Sequence, residues 1–204
     1  MQIEGQEMEQ ALIRRILRGE SNLYAQLVDR YARMVHTLVA RVIDCPEEAE
    51  EVTQDVFLKA FRQLGGFSGR SSFQTWIYRI ACNTALSHAR RTRRRNTLSG
   101  VDERRLALLP DEEAERLETW AAHERQLEAL TRAIARLEAE ERALVTLFYY
   151  EECPVSECAA ITGLTEGNVK VRLHRIRKKL YLLVKDETDG TEATDGTNER
   201  NTTE

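Results

Sequence analysis

Proline and glycine are scarce in this chain, three and ten among 204 residues. Both interrupt helices, so long stretches at helical period with so few of them argue for an all-α protein. No apolar run approaches the roughly 20 residues that a membrane-spanning helix needs, so no membrane insertion is expected. The opening MQIEGQEMEQ is acidic and polar where a secretory leader would be basic and then apolar. A cytoplasmic protein is therefore expected, and in that compartment Cys45, Cys82, Cys153 and Cys158 would be reduced thiols used as small packing residues. Cys153 and Cys158 taken with His174 fit no common structural zinc spacing, so no metal is expected. Nor is there a Walker loop or a paired nucleophile and base, so no catalytic residue, no cofactor and no enzymatic activity are expected.

What the chain does have is cations in the right places. The net charge is −4, but it is unevenly distributed. Seven acids stand against Lys185 and Arg200 in residues 185–204, whereas the clusters at 90–95 and 170–179 are purely basic. Nucleic acid responds to that local field and not to the average.

Residues 155–179, VSECAAITGLTEGNVKVRLHRIRKK, have the spacing of a helix-turn-helix. A short helix to Thr162, a tight turn at Gly163 and a cap at Thr165 lead into a second helix over Glu166–Leu180. Val169, Leu173, Ile176 and Leu180 form its inward stripe. Lys170, Val171, His174, Arg175 and Lys178 share another face, suited to the acceptor atoms and phosphates of a major groove. The plainer reading of this run is a solvated basic helix end. Small Ala159 before the glycine turn, with Val169 after it, favours the helix-turn-helix.

Upstream, a short amphipathic helix is expected over Ala11–Arg18, broken at Gly19, with Ser21 capping the next. Leu23, Tyr24, Leu27, Val28, Tyr31, Met34, Val35, Leu38, Val39 and Val42 repeat at three and four, as the inner face of a bundle helix does. After Asp44, Cys45 and Pro46 a helix over Glu47–Leu64 places Val52, Val56, Phe57, Ala60 and Phe61 inside. Its outer face offers Glu51, Gln54 and Asp55, which by themselves fit plain solvation as well as a partner surface.

A loop, FSGRSS, then leads into FQTWIYRIACNTALSHARRTRRR. Phe67, Phe73, Trp76 and Tyr78 are interleaved with Arg70, Arg79 and a following arginine cluster. Aromatic rings capture unpaired bases while cations track the backbone. An aromatic core with a basic helix end is the simpler reading, and both can hold, with Trp76 and Tyr78 partly structural. Taken singly, the helix-turn-helix fits a stand-alone DNA-binding regulator and the aromatic segment an RNA-binding protein.

Together the two blocks resemble an extracytoplasmic-function sigma factor of the sigma-70 family. The first, with EEVTQDVFLKAF at 50–61 and FSGRSSFQTWIYRIACNTA at 67–85, resembles sigma domain 2. The second, with LEAEERALVTLFYYEE and the helix-turn-helix, resembles sigma domain 4. The resemblance implies two small helical domains, over 1–95 and 124–184, with a linker at 96–123 and a disordered acidic tail at 185–204. Its implied partners are core RNA polymerase, through the β′ clamp helices and the β flap, promoter DNA, and an anti-sigma factor. By position, Glu51, Gln54 and Asp55 match the clamp-helix face. Phe67, Ser68, Gly69, Arg70, Ser71 and Ser72 match the loop that takes a flipped base of the −10 element. Phe73, Trp76 and Asn83 lie with that single-stranded −10 site, Trp76 at the upstream edge of melting. Lys170, Val171, His174, Arg175 and Lys178 match the face that reads the double-stranded −35 element.

Overall fold

The structure, a computed structural model, describes residues 2–93 and 124–195, with side chains described over 7–92 and 127–187. Its described elements are all helical, as the shortage of helix breakers predicts. Helix α1 spans Gln2–Leu17 and so begins well before Ala11. Periodicity misses its first turns because one of their buried side chains is an acid. Glu9 is buried and accepts from Tyr31 Oη at 2.5 Å and from Arg30 Nη1 at 3.2 Å.

Ser21 does not cap the second helix. Ser21–Leu23 forms a 3₁₀ turn that runs directly into α2, Tyr24–Val42, whose N-terminus has no side-chain cap. The chain becomes extended at Ile43, and Pro46 starts α3, Pro46–Gln63, where its fixed φ and missing N–H cost least. Glu47 and Glu48 in the first turn complement the helix dipole. A 3₁₀ turn, Leu64–Gly66, and the loop bring the chain to α4, Phe73–Arg93. Ser72 caps it, its Oγ accepting from Thr75 N at 3.0 Å.

Helices α2, α3 and α4 pack pairwise into a bundle. Leu27, Val35, Leu38 and Val39 of α2, Val52, Val56 and Ala60 of α3 and Ile77, Ala81 and Ala85 of α4 are all buried. Each large aliphatic side chain so buried contributes about 1.5–3 kcal/mol.

Farther on come α5, Glu124–Ala135; α6, Ala139–Val145, which ends in a π-turn over Thr146–Tyr150; α7, Val155–Thr162; and α8, Glu166–Asp195. By packing, the chain forms two units, residues 1–97 with 142–169, and residues 98–141 with 170–204. The first unit thus joins the α2–α4 bundle to the segment from Arg142 through the helix-turn-helix turn. Arg142, itself buried, carries much of that junction: its guanidinium donates to Val42 O at 2.7 Å and pairs with Asp44 at 3.2 Å.

In the second unit, Ala129 and Ala133 of α5 and Leu173, Ile176 and Leu180 of α8 are buried. Arg132 Nε donates to Glu187 at 2.8 Å and Lys179 Nζ to Glu141 at 2.7 Å. Helix α8 continues past position 185, the expected start of the tail, to Asp195. The linker residues 96–123, Arg94, Arg95 and residues 196–204 lie outside the described residues, as does the side chain of Arg93.

Candidate nucleic-acid and partner interface

Steps of three and four along α3 set Glu51, Gln54 and Asp55 on one exposed face. Beside them lies an apolar groove whositse walls include Tyr24, Val28, Phe57, Leu58 and Phe61, with Gln54 at its edge. Leu58 is 54% exposed and Phe61 43%. Periodicity places Phe61 inside with Phe57, and the structure corrects this. The two rings lie one turn apart on the same side of the helix, but Phe57 is buried whereas Phe61, in the last turn, stays partly open to solvent. Leu58 carries no signal of its own, because a single leucine off the apolar stripe is ordinary in sequence and informative only once a groove is seen beside it.

The loop before α4 has the exposed side chains Ser68, Arg70 and Ser71 around Gly69, whose φ of +72° belongs to the left-handed region that glycine adopts readily. Phe67, at the base of this loop, meets Phe73 at 5.6 Å and Trp76 at 5.5 Å between ring centroids, and Phe73 and Trp76 are 5.3 Å apart. Three of the aromatic residues expected to meet unpaired bases are thus one ring cluster. Phe73 differs from the other two in being buried, with Tyr31 on its far side at 5.2 Å. It therefore supports the cluster and offers no free face, whereas Phe67 and Trp76 are half-buried.

Arg79 and Asn83 are exposed along α4 on the same side as Trp76. Tyr78 is fully buried and donates its hydroxyl to Glu151, and Thr75 Oγ1 donates to Glu157. Burial first, and then the Glu151 carboxylate, push the Tyr78 phenol well above its ordinary range.

The helix-turn-helix residues of the first unit follow the expected geometry. Helix α7 ends at Thr162, Gly163 takes a φ of +74°, and its N–H donates to Ala159 O at 2.9 Å. Thr165 Oγ1 then accepts from Asn168 N at 3.2 Å, which starts α8. Val169 is fully buried. Farther along the same helix, in the second unit, Lys170, Val171, Arg172 and Arg175 are exposed, and His174 and Lys178 are half-buried.

Cys153 and Cys158 are buried, with the Cys158 thiol 3.5 Å from Cys153 O. Desolvation chiefly raises them, Cys153 to about 12 and Cys158 to about 11. Among the described residues no group of three or more His, Cys, Asp or Glu side chains gathers to hold a metal ion. No helix of the described residues is long and apolar enough to cross a membrane.

Described residues that are all helical, with a capped helix-turn-helix leading into a cationic helix, fit a nucleic-acid-binding protein of the transcription class. Comparison with known proteins sharpens this. Residues 27–95 match the Sigma-70 region 2 model and residues 127–180 the Sigma-70, region 4 model. The RNA polymerase sigma-H factor of Pseudomonas aeruginosa is 32% identical over 181 residues, covering 86% of this chain and 93% of that protein. The ECF RNA polymerase sigma-E factor of Escherichia coli K12 is 32% identical over 184 residues, covering 84% and 92%. The solved structure of CnrH in complex with the cytosolic domain of CnrY shares the fold with a TM-score of 0.60 at 23% identity, covering 86% of this chain and 96% of that one. RpoE of Bartonella quintana, solved with the anti-sigma factor NepR, does so with a TM-score of 0.58 at 21%, covering 79% and 96%.

The chain belongs to the extracytoplasmic-function branch of the sigma-70 family of RNA polymerase sigma factors. It is a transcription initiation factor that binds core RNA polymerase and directs it to promoters, and the family's members are not enzymes.

Proposed function

We propose that this sigma factor opens the −10 region by capturing unpaired bases on the Phe67 and Trp76 rings, with Ser68, Gly69, Arg70, Ser71 and Ser72 forming the surrounding loop and Asn83 contacting the strand farther along α4. Phe73 acts from beneath, by holding both rings. The observation that carries this reading is the ring cluster itself, an aromatic surface beside an exposed, cationic, glycine-centred loop. Opening one base-pair step costs about 1.4 kcal/mol, and stacking a base on an aromatic side chain returns about 1–3 kcal/mol. Capture of one or two bases therefore offsets the first steps of melting without nucleotide hydrolysis.

In the same reading Glu51, Gln54 and Asp55, together with Leu58 and Phe61, dock on the β′ clamp helices. Lys170, Val171, His174, Arg175 and Lys178 read the −35 element in the major groove, in a promoter-reading domain over 124–184 whose other contact is the β flap. An anti-sigma factor holds the protein inactive in the cytoplasm. RpoE, solved with the anti-sigma factor NepR, supports that last role by analogy of fold.

The test is transcription from a promoter selected from a random library by the holoenzyme. Phe67→Ala with Trp76→Ala is expected to lower run-off product from duplex template at least ten-fold and to abolish permanganate reactivity at −10. Near wild-type product should return on a template already mismatched there. Equal losses on both templates would assign the rings to folding and overturn the melting role.

A further inference from the structure

Helix α1 runs beside the candidate base-capture loop, and the order of its residues decides which of them face it. Glu9 is buried, accepting from Tyr31 Oη at 2.5 Å and from Arg30 Nη1 at 3.2 Å, and the Tyr31 ring lies 5.2 Å from that of Phe73. Successive side chains are about 100° apart around a helix, so with Glu9 anchored inward Gln10 is turned to the surface, where it is exposed. There it meets the loop, since a β-carbon placed on Gly69 would lie 3.5 Å from Gln10 Nε2. One placed on Gly65 would lie 4.0 Å from Leu17 Cδ2. Gln10, Arg14 and Leu17 stand at i, i+4 and i+7 and share one helix face. Two of the three thus approach the segment 65–69 at its two ends, and the exposed Arg14 lies between them.

The chemistry of these two side chains suits a strand held on the loop. Aromatic rings discriminate poorly, because every base has a π-face. A polar group beside the rings is what separates one base from another. A glutamine amide carries an acceptor oxygen and two donor hydrogens, and an unpaired base has its hydrogen-bonding edge uncovered. Gly69, held at a φ of +72° and lacking a β-carbon, leaves the Gln10 amide open at the loop surface. Arg14, one turn on, brings a cation to a phosphate of the same strand. A solvated helix face is the plainer reading of both residues, and it predicts no dependence on base identity.

We propose that α1 forms a second wall of the single-strand site, with Gln10 hydrogen-bonding the edge of the base taken up by the loop and Arg14 meeting a phosphate beside it. This rests on the −10 role proposed above for Phe67, Trp76 and their loop, and it adds the discrimination that the rings cannot supply. Base capture then belongs to the loop and α4, and base identity to α1, so substitution separates the two. Replacing Gln10 disturbs the fold little, because the side chain is exposed and alanine is the better helix former.

Holoenzyme made from the full-length chain and core polymerase tests this on labelled single strands carrying the −10 sequence of the selected promoter, each base replaced in turn by the other three. Gln10→Ala is expected to reduce the ratio of best to worst base about five-fold or more at one position, as loss of an amide contact to a base edge does. The ratios at the other positions should hold. Gln10→Glu, which exchanges the donors for an acceptor, is expected to raise cytosine and adenine over thymine at that same position, because their amines donate. Arg14→Ala is expected to weaken all strands alike and to lower the salt slope by about 0.7. Unchanged base ratios in both Gln10 variants, or a loss spread equally over all positions, would overturn the reading role of α1, and an unchanged salt slope would overturn the Arg14 contact. Phe67→Ala with Trp76→Ala in the same assay tests the underlying site separately. Strands bound as tightly as by wild type would overturn the −10 role of the rings, whereas weakened binding there with unchanged ratios in the Gln10 variants would overturn the Gln10 contact alone.

Discussion

Tyr24 and Phe61 meet edge to face across α2 and α3, ring centroids 4.9 Å apart at 62°, while the Tyr24 hydroxyl donates to Phe57 O at 2.8 Å. The pair fixes one wall of the groove beside Gln54, so Phe61 is held in place while remaining partly open to solvent.

Leu58 stands on the same groove without such a tether, and its exposure allows a charge to be placed there cheaply. Leu58→Asp is expected to leave the thermal midpoint within about 2 °C of wild type, since exposed substitutions change stability by less than about 0.5 kcal/mol. It should nevertheless weaken binding to core polymerase by about ten-fold or more, as loss of a central apolar anchor does. Fluorescence anisotropy against purified core enzyme reads the second effect and calorimetry the first.

At the helix-turn-helix the turn and the cap make separable contributions. Gly163→Ala meets no atom within 4 Å, so its cost is the left-handed backbone alone, about 1–2 kcal/mol. Gly163→Asn should cost less, because asparagine tolerates that conformation. Thr165→Ala removes the bond to Asn168 N and should cost about 1 kcal/mol. Urea midpoints at unchanged m-value measure all three.

Alkaline pH should destabilise the fold. Cys153 and Cys158 titrate at about 12 and about 11 when folded and near 9.0 otherwise, and Tyr24 is pushed from 10.0 up to about 12. Each group holds its proton more tightly in the native state. The stability they contribute is complete below about pH 9 and is lost as pH rises toward about 12. Denaturant midpoints should be flat from pH 7 to 8.5 and fall above pH 9, with a shallower fall in Cys153→Ala. At pH 8, a thiol reagent should modify half-buried Cys45 first, and the buried Cys82, Cys153 and Cys158 only on unfolding.

The bundle and the helix-turn-helix are legible because both are written in single-residue signals. Apolar steps of three and four mark α2, and glycine followed by threonine two residues on marks the turn before α8. The start of α1 is hidden because its anchor is Glu9, a carboxylate satisfied by a tyrosine and an arginine more than twenty residues away. Ser72 is visible only as loop, although its position three residues before Thr75 is that of a cap. Phe73 and Trp76 look alike in sequence. Their difference in exposure arises from Tyr31, which covers one ring and not the other. Nothing local marks Glu151 and Glu157 as partners of α4, since their hydroxyl donors lie 73 and 82 residues earlier.

The mutual packing of Phe67, Phe73 and Trp76 bears on the cost of taking up a base in the role proposed for them at −10. Rings already wedged at 5.3–5.6 Å from one another have little rotamer freedom left to surrender. Immobilising a side chain at an interface ordinarily costs about 0.5–1.5 kcal/mol, and here that loss is incurred during folding. In the proposed role at −10, the strand would meet a surface that resembles the exposed end of a base stack, and the entropy given up on capture would be chiefly its own.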